Sequence, residues 1–145
     1  MSNGLFGHYV HKLDSKGRIV LPARFREELG QFVMATISTE KCISVFPMPQ
    51  WELLRDNLSE KKTGSARERR LYQMIMTSAH ELEIDVAGRI LLPQFLRDFV
   101  GIKQEVSVNG IDNRLQIWDL ATWQEVWEIG LKELQETAEE KGWPL

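Results

Sequence analysis

The apolar positions of this chain fall into short runs bounded by turn residues, and into longer stretches where they recur every three or four residues. Tyr9 to Leu13 reads as a strand, Asp14-Ser15-Lys16-Gly17 carries turn chemistry, and Arg18 to Leu21 returns as an apolar strand. The segment is hairpin-like, with Arg18 at its rim. Pro22 suits a first helical position, where its missing N–H costs nothing, and Gly30 is placed to end the helix; together they predict a short helix over Ala23 to Leu29. Two strands follow, around Phe32 to Thr36 and Cys42 to Phe46. The order strand, turn, strand, helix, strand, strand then recurs in the second half, where Asn109-Gly110 is the expected turn between the last two strands.

Longer periodic stretches close each half. One helix is opened by Pro49 ahead of Trp51, the other by Asp119 ahead of Trp123. Trp123, Val126, Trp127, Leu131 and Leu134 keep helical spacing, which predicts a stripe packed against the body or a neighbouring subunit. Between the halves, residues 59–80 begin as a polar linker and turn helical from about Ala66, with Leu71, Met74 and Ile75 expected to face inward and Arg67, Arg69 and Arg70 solvated.

The recurrence is literal. DSKGRIVLP (14–22) returns as DVAGRILLP (85–93), with six of nine positions identical. Allowing one inserted residue, Arg26 aligns with Arg97, Gly30 with Gly101, Val45-Phe46 with Ile117-Trp118 and Trp51 with Trp123. The copies span 8–50 and 79–122, joined by a helical linker over 51–78 and followed by an acidic C-terminal helix over 123–145. A unit of about 43 residues can rarely bury enough apolar surface to fold alone, so the copies are expected to share one core.

Composition changes the picture little: 145 residues, 43% hydrophobic and 27% charged, suit one globular domain. No basic stretch followed by an apolar segment opens the chain and no apolar run could cross a bilayer, so a cytoplasmic, membrane-free protein is expected. A single cysteine, Cys42, excludes an intrachain disulfide.

Charge changes it more. The total of −3 argues against a nucleic-acid partner, yet residues 119–145 alone hold seven acidic and two basic side chains. Residues 8–26 carry Lys12, Lys16, Arg18, Arg24 and Arg26 against only Asp14. A locally basic body suits binding of a polyanion by one face.

The repeated Asp-x-x-x-Arg is the chief candidate for chemistry. Asp14, Gly17, Asp85 and Gly88 are turn residues: the carboxylates accept nearby N–H groups and the glycines serve backbone geometry. That does not explain Arg18 and Arg89. Both copies put a guanidinium at the same rim position, where its planar fork of donors suits phosphate or the O6 and N7 edge of guanine. The structural alternative is an ion pair with Asp14 or Asp85, which could also orient the arginine. Two related Asp-bearing copies also invite comparison with aspartic proteases, whose carboxyls share one proton; the nearby arginines, which favour the ionised forms, and Val86 in place of Ser15 weigh against it. His8 and His11 point to opposite faces of a strand, Cys42 sits in an apolar run, and His80 is alone, so no metal or cofactor site is expected and the chain does not read as an enzyme.

The segment LDSKGRIVLPARFREELG (13–30) resembles the SpoVT/AbrB-type DNA-binding element. The tandem pair, with PMPQW (47–51), GRILLP (88–93) and QIWDLATW (116–123), resembles the MraZ family of bacterial transcriptional regulators over nearly the whole chain. The resemblance implies an α+β, mainly β fold: a double-split, swapped-hairpin β-barrel built from the two repeats, with flanking helices. It further implies a ring homo-oligomer of about eight to twelve subunits that binds short direct repeats of double-stranded promoter DNA and regulates the division and cell-wall gene cluster, at the nucleoid. The family's DNA-contacting arginines fall on Arg18 and Arg89. Lys16 sits beside the first, and Arg24, Arg26 and Arg97 match the basic helix positions. The second copy has Ala87 where the first has Lys16 and Phe95 where it has Arg24, so the first copy is expected to supply more of the phosphate contact. The competing reading is a protein-interaction scaffold, similar to AbrB-like antitoxins, in which the same arginines would be paired and covered.

Overall fold

A computed structural model describes residues 4–145. Each copy supplies four strands: β1 (Leu5–Lys12), β2 (Arg18–Val20), β3 (Phe32–Ile37) and β4 (Ile43–Pro47) from the first, and β5 (His80–Glu83), β6 (Arg89–Leu91), β7 (Glu105–Asp112) and β8 (Leu115–Asp119) from the second. Among the described residues, five α-helices and a 3-10 turn (Ser59–Thr63) complete the elements: α1 (Ala23–Leu29), α2 (Met48–Leu58), α3 (Ala66–Ser78), α4 (Gln94–Val100) and α5 (Leu120–Lys141). The short helix expected from Pro22 and Gly30 is α1, and Gly30 ends it with φ +76°. Ser65 and Glu68 form a reciprocal capping box at the start of α3, where the sequence turns from polar linker to helix.

The fold is α+β and mainly antiparallel sheet. Six strands pair in the order β1-β7-β8-β4-β3-β5, and β2 and β6 form a separate two-stranded ladder. The copies exchange their first strands: β1 runs along β7 for its whole length, from Leu5 opposite Asp112 to Lys12 opposite Glu105, and β5 pairs with β3. β1 and β2 therefore do not pair as a hairpin. They leave the tight Asp14–Arg18 loop for different sheets. The order runs open from β1 to β5, so hydrogen bonding closes no barrel among the described residues. The register is nonetheless symmetric, since Ile19 faces Ile90 at the middle of the small ladder and Ser44 faces Gln116 where β4 meets β8.

One core draws on both copies: Ile19, Leu21, Phe25, Val33 and Val45 from the first pack with Ile90, Leu92, Leu96, Val106 and Ile117 from the second, all essentially without exposure. The far face of the large sheet meets α2 and α5, where Phe46 stacks near Trp51 (6.3 Å between ring centres) and Trp118 near Trp123 (5.5 Å).

Three further expectations need correction. Asn109 and Gly110 lie inside β7, not in a turn: Asn109 is buried, accepting a hydrogen bond from Ser107 Oγ (2.6 Å), and Gly110 stands against β1. The reversal comes later, at Asp112-Asn113, with Asp112 at φ +63°. Asp119 begins α5 but its carboxylate accepts the Lys103 N–H (3.2 Å) and caps no helical N–H. Leu71 and Met74 face outward on α3, 54% and 58% exposed, because the helix rests on the sheet through its Ser78 end. The tryptophan stripe divides as its two alternatives allow: Trp123 packs on Trp118 of the body, whereas Trp127, Leu131 and Leu134 stay exposed along α5 among the described residues, open to a neighbouring subunit.

Candidate nucleic-acid interface

The Asp-x-x-x-Arg loops are built alike. In the first, Asp14 Oδ1 accepts the N–H groups of Lys16 and Arg18 (both 2.9 Å) while Oδ2 accepts Arg18 Nε–H at 2.7 Å. In the second, Asp85 Oδ1 accepts from Ala87 (3.0 Å) and Arg89 (2.9 Å), and Oδ2 from Arg89 Nε–H at 2.8 Å. One carboxylate thus closes the turn and aims the arginine. Gly17 (φ +84°) and Gly88 (φ +80°) take the positive φ that lets the chain double back in so few residues.

Those hydrogen bonds stabilise the charged carboxylates. The Arg18 N–H and guanidinium bring the Asp14 carboxyl from 3.8 to about 2, and Arg89 lowers that of Asp85 in the same way. Both carboxyls are depressed in the folded chain, so their contribution to loop order is complete above the ordinary value of 3.8 and is lost as pH falls toward about 2 for Asp14. NMR titration of the carboxyl carbons should show Asp14 titrating well below an unfolded aspartate; an ordinary midpoint would contradict the geometry. Two carboxylates each ionised by its own arginine are not a proton-sharing pair, which removes the chemical basis of the protease comparison.

The small ladder displays the arginines. Strand alternation turns Ile19 and Ile90 into the core and puts Arg18, Val20, Arg89 and Leu91 on the outer face. Arg18 stands opposite Leu91 and Arg89 opposite Val20, so the arginines occupy one diagonal, at a Cα separation of roughly 7–8 Å. Each uses Nε on its aspartate, and among the described residues no hydrogen bond engages the Nη groups. The side chains of both pairs keep 28–35% of their surface exposed. Lys16 is exposed at the tip of the first loop, with Val86 and Ala87 exposed at the second.

The other expected cations lie elsewhere. Arg24 donates from Nη2 to the Phe6 carbonyl (2.5 Å) and stacks over the Phe6 and Phe25 rings, tying α1 to β1. Arg26 and Arg97 reach across to the other copy's loop and lie against Gly88 and Gly17. Val20 and Leu91 also belong to the face although each sits in an apolar triplet, as two-residue alternation from Ile19 and Leu21 places them. Phe95, standing where the first copy has Arg24, is 57% exposed beside His80. Among the described residues, no group of three His, Cys, Asp or Glu side chains could hold a metal ion, and no helix is long and apolar enough to cross a membrane.

Comparison with known proteins agrees with the doubled architecture. A family model described as "MraZ protein, putative antitoxin-like" matches twice, over residues 5–73 and 75–141. Proteins named transcriptional regulator MraZ are similar throughout: that of Natranaerobius thermophilus is 34% identical over 92% of this chain and 94% of its own. The counterpart from Symbiobacterium thermophilum is 35% identical over 94% and 99%, and that of Caldicellulosiruptor bescii 38% over 82% and 83%. With two successive matches that together take in both Asp-x-x-x-Arg loops and all eight strands, the chain belongs to the MraZ family.

Proposed function

We propose that this protein is a DNA-binding transcriptional regulator that meets duplex DNA with the outer face of the β2–β6 ladder, Arg18 and Arg89 making the principal contacts. The observation that carries the reading is the matched pair of arginines on one diagonal of the ladder's outer face, each partly exposed and aimed by a carboxylate that engages Nε, which leaves the Nη groups for phosphate or a guanine edge. Lys16 adds phosphate contact from the first loop, while Val20 and Leu91 supply apolar contact between the arginines. Its relatives' name, transcriptional regulator, supports the same reading.

The paired aspartates offset much of the local charge, so one chain offers few phosphate contacts and binds weakly at physiological salt. A ring of about eight to twelve subunits on short direct repeats makes each later contact intramolecular and raises affinity. The uncovered stripe Trp127, Leu131 and Leu134 supports subunit association. The swapped first strands and the central ladder read as the two halves of a double-split barrel. Regulation of the division and cell-wall gene cluster, at the nucleoid, is the biological role this implies.

Fluorescence anisotropy on the promoter upstream of its own gene, across a salt series, tests the site. Arg18→Ala and Arg89→Ala should each weaken binding about tenfold or more; wild-type affinity in both variants would refute the assignment. One observation favours the scaffold reading: both arginines are ion-paired. They are paired but keep 28% and 33% of their side-chain surface exposed, and absence of any salt-sensitive DNA binding by the wild-type chain would decide for the scaffold.

A further inference from the structure

Arg26 and Arg97 are placed unlike surface phosphate contacts. Arg97, on α4, lies flat on Gly17 of the opposite copy: a Cβ on that glycine would come 2.7 Å from Cζ and 2.9 and 3.0 Å from the two Nη atoms. Arg26, on α1, lies on Gly88 in the same way, with Nη1, Cζ and Cδ at 2.5, 2.7 and 2.9 Å from such a Cβ. Both side chains are half-buried. Arg97 Nε donates to the Leu92 carbonyl (3.0 Å), whereas Arg26 Nε is buried without a partner. The small ladder continues into the same glycines, with Leu92 N–H donating to the Gly17 carbonyl (3.0 Å) and Leu21 N–H to that of Gly88 (2.8 Å).

We infer that Arg26 and Arg97 are positioning residues that hold the opposite copy's Asp-x-x-x-Arg loop in its DNA-binding shape, Arg97 the first loop and Arg26 the second. Each loop is then fixed from three sides: by its own aspartate, by the ladder and by a guanidinium plane from the other copy. Glycine at both positions serves two needs at once, positive φ and room for that plane. A half-buried guanidinium without a carboxylate partner costs desolvation, and an apolar side chain would fill the space with less penalty. What the planar group adds is a rigid surface of fixed shape on the loop backbone. Disturbing one copy's helix therefore reaches the other copy's DNA-contacting arginine.

The inference rests on the reading of Arg18 and Arg89 as DNA contacts, and the test separates the two. Anisotropy on the promoter duplex, across a salt series, would compare the full chain with Arg97→Ala, Arg97→Lys, Arg18→Ala, Arg89→Ala and the doubles R97A/R18A and R97A/R89A. Positioning predicts that Arg97→Ala weakens binding about tenfold with the salt slope unchanged, adds little to Arg18→Ala, and multiplies with Arg89→Ala. Arg97→Lys, which keeps the charge but not the plane, should fail to rescue. A slope reduced by about 0.9 together with rescue by lysine would make Arg97 a phosphate contact and overturn the inference. Equal coupling to Arg18 and Arg89 would reduce it to general packing, and overturn it as well. NMR of the DNA-free protein gives the independent arm: Arg97→Lys should shift the Gly17 and Arg18 amides and leave Gly88 and Arg89 in place, with Arg26→Lys doing the reverse. If Arg18→Ala and Arg89→Ala leave DNA binding intact, the site assignment falls, while these amide shifts still decide whether the cross-copy clasp exists.

Discussion

A chain cut back to residues 1–64, which keeps the first copy and part of the linker, should show no cooperative unfolding transition as a monomer. β1 would lose its β7 partner along all eight of its residues, and β2 its only ladder, with β6. Phe25, Leu21 and Val33 would lose the second copy's Ile90, Leu92, Leu96 and Val106, with which they share one core. Domain stability is only about 5–15 kcal/mol, and removing half of a common core takes away more apolar burial than that margin. Circular dichroism melts with sedimentation of the same sample provide the measurement. Adding the complementary piece, residues 65–145, should restore the transition. A monomeric first copy that melts cooperatively on its own would refute the shared-core account.

The second large effect concerns Gly110, where β7 and β1 come together. A Cβ there would lie 2.5 Å from the Phe6 backbone nitrogen and 2.6 Å from the Leu5 carbonyl carbon, so relief requires moving a strand rather than turning a side chain. Overpacking usually costs about 1–3 kcal/mol, and with backbone as the obstacle Gly110→Val belongs at the top of that range. The midpoint of thermal unfolding should fall by roughly 10 °C. Gly130, inside α5, provides the opposite sign: nothing lies within 4 Å of its Cβ position, so Gly130→Ala should stabilise the helix by about 0.8–1 kcal/mol. A wild-type melt for Gly110→Val would mean that β1 does not pack as described.

These cases show which signals were local. Helix α1 was legible to the residue because Pro22 and Gly30 mark its ends by their own backbone chemistry. The arginines of the doubled phrase were legible because turn formation explains Asp and Gly but not Arg. Gly110 was misread for a related reason: Asn-Gly is a strong turn dipeptide, and what overrides it is a second backbone, β1, arriving from elsewhere in the chain. Leu71 and Met74 were read as inward on periodicity, which identifies an apolar stripe but not what lies opposite it. Arg26 and Arg97 carried no signal at all for the clasp, since their partners, Gly88 and Gly17, are distant in sequence.

The sequence by itself determined that there are two copies and what each is made of in order; it leads to the expectation that neither suffices alone, and it singles out the residue in each loop that the turn does not require. Those properties follow from φ preferences, short-range hydrogen bonding and total apolar area, all of which act within a copy. Tertiary structure alone decided the exchange of first strands between copies and the crossing of Arg26 and Arg97 onto the opposite loops. A backbone N–H is satisfied equally well by any strand of suitable register, so local chemistry cannot choose between partners inside and outside the copy. Packing both copies around a single core makes that choice.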